Sequence, residues 1–368
     1  MKIFSNMASR QHGVTLVELL VSMLIAGVIF AGVVSVVQVS QSSFVSEQEN
    51  SFIQENARYA IETLARDVRM AGNYGCASIE SSSFANSVNG DVQGLLGLDA
   101  VIGFEGSSSI GSEWPDAYEG DATAGSDSLI LRYADPSSNV YIQDHTGYSS
   151  GEFNLHSAHS WSAGDKLVVI DSSCRNVGLF EMTGSSSSVV GHTAGSGAPG
   201  NCTQALFNGT ASTIDCSSPS CGASSCGGQA VAPFTKGSSI MRFMANGYFI
   251  GDSNVVPGMP ALKRQVLTSS GSRAEELAQG IEDMEILFGV STEMDGGSPD
   301  PDGDVDAYLQ ADDVSDWESV IAVRITLIVR SISEVHNENQ TSTLNGVTYT
   351  DRFLRQMVSS TINLRNRG

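Results

Sequence analysis

From Val14 to Val39 the chain carries one charged side chain, Glu18, and from Leu19 to Val39 it carries none. About 20 mostly apolar residues in a helix span the hydrocarbon core of a bilayer. This run therefore places a membrane-crossing helix near the N-terminus. Lys2 and Arg10 lie ahead of it. The bias of cytoplasmic flanks toward Lys and Arg puts residues 1–13 inside and the rest of the chain outside the inner membrane. A secretory signal would have a shorter apolar core ending at a small-residue cleavage site. Here no A-x-A-like site follows, and helical pattern continues past the run.

Glu18 is the exception that asks for an explanation. A carboxylate at the bilayer centre costs about 2.5–3.5 kcal/mol on insertion scales, so it needs a cation. A cut between Gly13 and Val14 would create an α-amine four residues away, about 6 Å along a helix axis. That amine, on the same chain or a neighbour, would neutralise Glu18 in lipid. The residues Gly13-Val14-Thr15-Leu16-Val17-Glu18-Leu19-Leu20 resemble the class III signal of type IV pilins and type II secretion pseudopilins. The resemblance implies cleavage after Gly13 by a prepilin peptidase, N-methylation of the new first residue Val14, and a docking role in assembly for Glu18. Val14 departs from the Phe usual at that place.

Beyond the apolar run, Ile53, Ala57, Ala60, Leu64, Val68 and Ala71 recur at steps of three and four. This is the stripe of an amphipathic helix, and Gly72-Asn73 is its stop signal. One helix from Val14 to Ala71 would be about 87 Å long. The expected organisation is a leader over 1–13, a transmembrane or filament-core helix over 14–39, an amphipathic half over 40–72, and a head over 73–368. The stretch 184–228, rich in Ser, Gly and Thr, reads as a long surface excursion. Strands are expected at Ser128–Ala134, Lys166–Asp171, Ser239–Gly251, Ala261–Thr268 and Val320–Arg330. Ala274–Val290 reads as a short helix or turn followed by a strand from Met284. The fold class is thus α+β, a long helix packed on a β-rich head.

Segments Glu276–Val290, Tyr308–Ser331 and Tyr349–Arg367 resemble the W-type minor pilins of type IV pili (the PilW family). The closest likeness is at Gly280-Ile281-Glu282-Asp283-Met284, at Asp316-Trp317 with Ala322-Val323-Arg324, and at Thr361-Ile362-Asn363-Leu364-Arg365-Asn366-Arg367. The resemblance implies a minor subunit at the pilus tip that primes assembly. Its partners would be other minor pilins, the major pilin and a tip adhesin. The J-type pseudopilin of type II secretion, which resembles the same architecture, is the alternative. A surface-binding adhesion module is another.

The head is acidic, with 41 Asp+Glu against 19 Lys+Arg in the whole chain and a formal charge of −22. That excludes a nucleic-acid partner, because duplex affinity comes from basic residues on phosphate. Cys76, Cys174, Cys202, Cys216, Cys221 and Cys226 are an even set in an exported chain and imply disulfides. Six cysteines leave the pairing open. Asp300, Asp302, Asp304 and Asp306 alternate on a Gly-containing acidic loop, a pattern able to offer oxygens to calcium, although the EF-hand positions for Gly and Glu hold Val305 and Ala311. A solvated acidic loop ranks ahead of a calcium site, and no other cofactor is expected. His145, His156, His159 and His192 lie among serines, yet neither a G-x-S-x-G elbow nor an H-E-x-x-H motif accompanies them. The sequence gives no reason to expect an enzyme.

Overall fold

The computed structural model describes residues 15–77, 83–90, 94–97, 99–106, 118, 121–145, 151–195, 200–204, 206, 234–291, 294–295, 298–299 and 304–366. Its first element is α1, Leu16–Met70, 55 residues or about 83 Å. Thr15 caps it: its backbone is extended, and its hydroxyl accepts from the Glu18 amide at 3.3 Å. The stripe read from the sequence is the buried face, with Ile53, Ala60, Leu64, Val68 and Ala71 fully enclosed. From Thr15 to Val45 every residue is exposed. At the far end, the Asn366 side-chain amide donates to the carbonyls of Arg69 (3.4 Å) and Ala71 (3.3 Å). The last turn of α1 is thus capped by residues close to the chain's C-terminal end.

The strands are β1 Ser83–Asn86, β2 Val101–Phe104, β3 Ser128–His145, β4 Glu152–Leu155, β5 Lys166–Ile170, β6 Asn176–Glu181, β7 Gly184–Ser186, β8 Val189–Gly191, β9 Ser239–Asp252, β10 Pro260–Thr268, β11 Gly271–Gln279, β12 Ile281–Val290, β13 Met294–Asp295, β14 Ser298–Pro299, β15 Ala307–Leu309, β16 Val320–Glu334, β17 Gln340–Leu344, β18 Val347–Asp351 and β19 Phe353–Asn363. Strand β9 is the spine of the larger sheet. It carries β3 along one edge, and β5 then β10 along the other, all antiparallel. The path β1-β6-β5-β9-β3-β4-β8-β7 continues to a distal end, and β2 and β11 attach to β3 and β10. The second sheet has the order β15-β12-β16-β19.

Each strand expected from the sequence is present, most with small shifts in their ends, except that β3 runs on past the expected Ala134 to His145 and that Ala274–Val290 differs. There the helix is absent and two strands, β11 and β12, meet at Gly280. Gly280 has φ +78°, and a Cβ on it would lie 2.7 Å from the Arg330 carbonyl oxygen. Only glycine suits that turn. The Ala- and Glu-rich β11 is held extended by pairing with β10, where Arg264 and Glu275 form an ion pair at 2.9 Å. Sheet pairing overrides the local helical preference.

Among the described residues, three apolar clusters fill the head. The first joins the α1 stripe to Ile281, Phe288, Val323, Ile325 and Leu327 of the second sheet and to Leu129, Tyr248 and Leu262 of the first. The second lies around Tyr74, Phe84, Ile130, Phe243 and Phe249. The third, at the distal end, holds Ile142, Phe153, Trp161, Phe180, Val190 and Phe234. Within the stretch read as an excursion, β7 and β8 form a hairpin on β4, and Val190, His192, Asn201, Thr203 and Leu206 are buried. Cys76, just past α1, is bonded to Cys174 in the β5–β6 turn, with Cα atoms 5.4 Å apart.

Candidate assembly interface

Two features define the functional end of the molecule: a bare apolar helix, and the devices that fix it to the head. α1 is long and apolar enough to cross a membrane, and its apolar window is unburied. Leu16, Leu20, Leu24, Val28 and Phe30 are each more than half exposed. A helix apolar all round and without a partner is stable only in lipid or in a bundle. Glu18 sits in the first turn beside the Thr15 cap, where the positive end of the helix dipole favours an acid.

The fixing devices are polar and lie on the other half. The buried Glu49 carboxylate accepts from the Ile332 and Ser333 amides at 2.8 and 3.2 Å. Asn50 accepts from the Gln356 side chain at 2.9 Å, and Asn56 from the Gln279 amide at 3.3 Å. Buried Asp67 accepts from Asn246 at 2.6 Å and from the Tyr248 hydroxyl at 2.5 Å. Burial, with the Asp67 charge beside it, pushes the Tyr248 phenol well above its usual range. These bonds come from β9, β11, β16 and β19. A slide or rotation of α1 would leave buried acceptors unpaired, at about 1–3 kcal/mol each.

A second cluster lies where the two sheets meet. Carboxylate oxygens of Glu105, Asp127 and Glu285 lie within 4.8 Å of one another. Asp127 accepts from the Gly106 and Ile286 amides, both at 2.7 Å, and Glu105 from the Gln310 side chain at 2.8 Å. Burial, then the neighbouring acids, pushes Asp127 and Glu285 up to about 7, and raises Glu105 and Asp283 as well. Such a group stores repulsion that a proton or a divalent cation relieves.

The sequence-read site residues divide as follows. Glu18 stands at the start of α1 as expected. Gly13 and Val14 lie outside the described residues, as do Asp300 and Asp302, Cys216, Cys221 and Cys226, and Trp114. Asp304 and Asp306 are exposed. Cys76 and Cys174 pair with each other, and Cys202 is disulfide-bonded too. The acidic trio was not foreseen. Its signal in the sequence is the acids Glu282, Asp283 and Glu285 interrupting the apolar pattern of β12.

A long helix, bare at one end and locked into a β-rich head at the other, is the architecture of a pilin-like subunit. Residues 8–34 match the family model described as the prokaryotic N-terminal methylation motif, and residues 247–366 match the one described as type IV pilus-assembly protein W. One match at each end of the chain supports a W-type minor pilin of type IV pili, a structural pilus component. The motif and the apolar helix fit an inner-membrane anchor. No curated protein and no solved structure matches the chain.

Proposed function

We propose that this minor pilin primes pilus assembly and takes its place in the tip complex. The carrying observation is the conjunction of Glu18, capped in the first turn of a bare apolar helix, with a W-type C-terminal region that locks the same helix to the head. A prepilin peptidase cuts after Gly13, and Val14 becomes the methylated first residue. Before assembly the helix lies in the inner membrane with the head in the periplasm. On assembly Glu18 takes the free amine of an adjoining subunit as its counter-ion. The helix then exchanges lipid for a bundle of minor and major pilin helices, and the head rides to the cell surface, where it meets a tip adhesin.

The test uses the full chain in cells. Gly13→Ala should block cleavage and leave a precursor about 1.4 kDa heavier than the mature chain, at roughly 110 Da for each of the leader residues retained. Glu18→Ala should insert normally and be processed, yet fail to enter pili. Mass spectrometry of the mature chain reports its N-terminus and methylation. A mature protein that begins at Met1 in cells with an active peptidase, or Glu18→Ala subunits recovered in pili at the normal level, would overturn the proposal.

A further inference from the structure

Among the described residues, the hairpin of β17 and β18 belongs to neither sheet, and its strands pair only with each other. Leu344 and Tyr349 are half-buried and the rest of Gln340–Thr350 is exposed. An isolated two-stranded hairpin is at best marginally stable in water. Natural edge strands are guarded by lysine, proline, inward charges or bulges. From Gln340 to Thr350 this hairpin has no charge and no proline, and its register runs without a bulge. Its turn is Asn345-Gly346, with φ +47° and +80°, the geometry that matches strand twist. With a two-residue turn, Leu344 and Val347 exchange hydrogen bonds, and Thr343 and Thr348 form the next, non-bonded pair. The amides of Thr341 and Thr343 therefore face outward on one edge, and those of Thr348 and Thr350 on the other. The threonine hydroxyls stay within the ribbon, Thr341 to Thr350 at 3.2 Å and Thr343 to Thr348 at 3.1 Å.

The hairpin's position selects its occupant. Strand β16 starts near the C-terminal end of α1, where Leu364 and Asn366 fasten the chain. It ends at Ile332 and Ser333, against Glu49. The Glu334–Arg352 ion pair closes the hairpin's root there. The hairpin thus leaves the head at the level where the bare half of α1 begins, continuous with the surface that other subunits cover in a filament. Membrane is a poorer occupant. The hairpin offers no basic residue to anionic headgroups, and its one small apolar face, Leu344, Val347 and Tyr349, is partly covered by the head, with the Arg355 guanidinium 4.2 Å from the Tyr349 ring.

We infer that this hairpin is a β-addition arm that lends an open edge to the head of a neighbouring pilin-type subunit. The inference rests on the pilus reading above. The neighbour is a chain with its own methylation motif, and the bond is main chain to main chain, with tolerance for side-chain identity.

The experiment places a photo-crosslinking residue at Thr341 of the full chain in piliated cells. It also tests two edge-blocking variants, Thr343→Pro with Thr348→Pro, and Thr343→Lys with Thr348→Lys. Both leave the hairpin's own hydrogen-bonded pairs in place. An intact Cys76–Cys174 bond in the purified variants checks folding. The expected result is an adduct to a second pilin-type chain, and a fall of about tenfold in adduct and pilus number in both variants. Adducts only to lipid or to another copy of this chain overturn the proposal. So does full piliation by both variants in a strain that loses its pili without this gene. A strain that keeps normal pili without this gene overturns the pilus reading itself, and the arm with it.

Discussion

The helix-bearing side of the head and its distal end are held differently: polar bonds from four strands converge on one rod at the first, whereas the second combines aromatic packing with a buried Lys166–Glu181 ion pair. Around α1, packing is joined by directional bonds to Glu49, Asn50, Asn56 and Asp67 from four strands. At the distal end, His145, Phe153, Phe180 and His192 stack with centroids 4.5–5.9 Å apart, roofed by Trp161. Packing tolerates small shifts more readily than a buried carboxylate tolerates the loss of its donors. The polar locks are thus suited to a rod whose register must survive transfer from lipid to a bundle. The distal end has no such demand. The C-terminal family match, residues 247–366, takes in three of the four locking strands and leaves the distal end out.

The largest effects should separate these regions. Phe153 is fully buried at the centre of the distal cluster. Phe153→Ala should cost about 3–5 kcal/mol. Hydrogen exchange should show Leu155 and Val190 losing protection while Ile325 and Leu327 on β16 keep theirs. Equal loss on both sides would erase the distinction.

The disulfide should bind the regions together. Cys76 and Cys174 are 98 residues apart in sequence, so removing the bridge releases a loop worth about 2–5 kcal/mol. The bridge ties the end of α1 to the β5–β6 turn. Cys76→Ser with Cys174→Ser should therefore lower the urea midpoint of both regions. A drop confined to one would show that the two unfold independently.

The helix was legible because its signals are one-dimensional. A run of apolar residues, a step of three and four, and a cap can all be read along the chain. Period-two alternation marked β16 in the same way. The strand β11 was not legible, because Ala and Glu are extended there only through pairing with β10. Gly280 was visible as part of a motif, but its positive φ depends on the Arg330 carbonyl beside it. Among site residues, Glu18 stood out as a lone acid in an apolar run. The trio Glu105, Asp127 and Glu285 did not, since the paired ends of β2 and β3 must meet the middle of β12, far away in sequence, before it exists. Asp67 and Glu49 hid for the same reason, their partners on β9 and β16 being far away in sequence.

Acid should weaken the distal end selectively. Burial, reinforced by His145, pushes His192 down to about 3; burial also lowers His145, against the pull of Asp144. Both stay neutral in the fold and take up a proton near 6.5 in the unfolded chain. Their contribution is fully present above about pH 6.5 and is lost as pH falls toward 3. At pH 5.5 His192 alone should cost about 1.5 kcal/mol. His192→Phe should abolish that slope in the distal amides and leave those of β16 unchanged.

The acidic trio at the sheet junction should respond in the opposite sense, and more weakly. Asp127 and Glu285 are pushed up to about 7 from ordinary values of 3.8 and 4.5, chiefly by burial. Because the folded state prefers the protonated acid, their contribution is full below about pH 4 and is lost as pH rises through 7. Glu285 is the cleaner probe, since Asp127 also accepts two backbone amides. It is partly exposed, so solvent screening reduces the effect to about 1 kcal/mol between pH 5 and 8. Glu285→Gln should raise the melting temperature of the soluble head at pH 8 and leave it unchanged at pH 4. It should not alter the acid sensitivity of the distal amides. If one substitution flattened both pH slopes, the junction and the distal end would titrate as one unit, and the contrast between them would have no thermodynamic content.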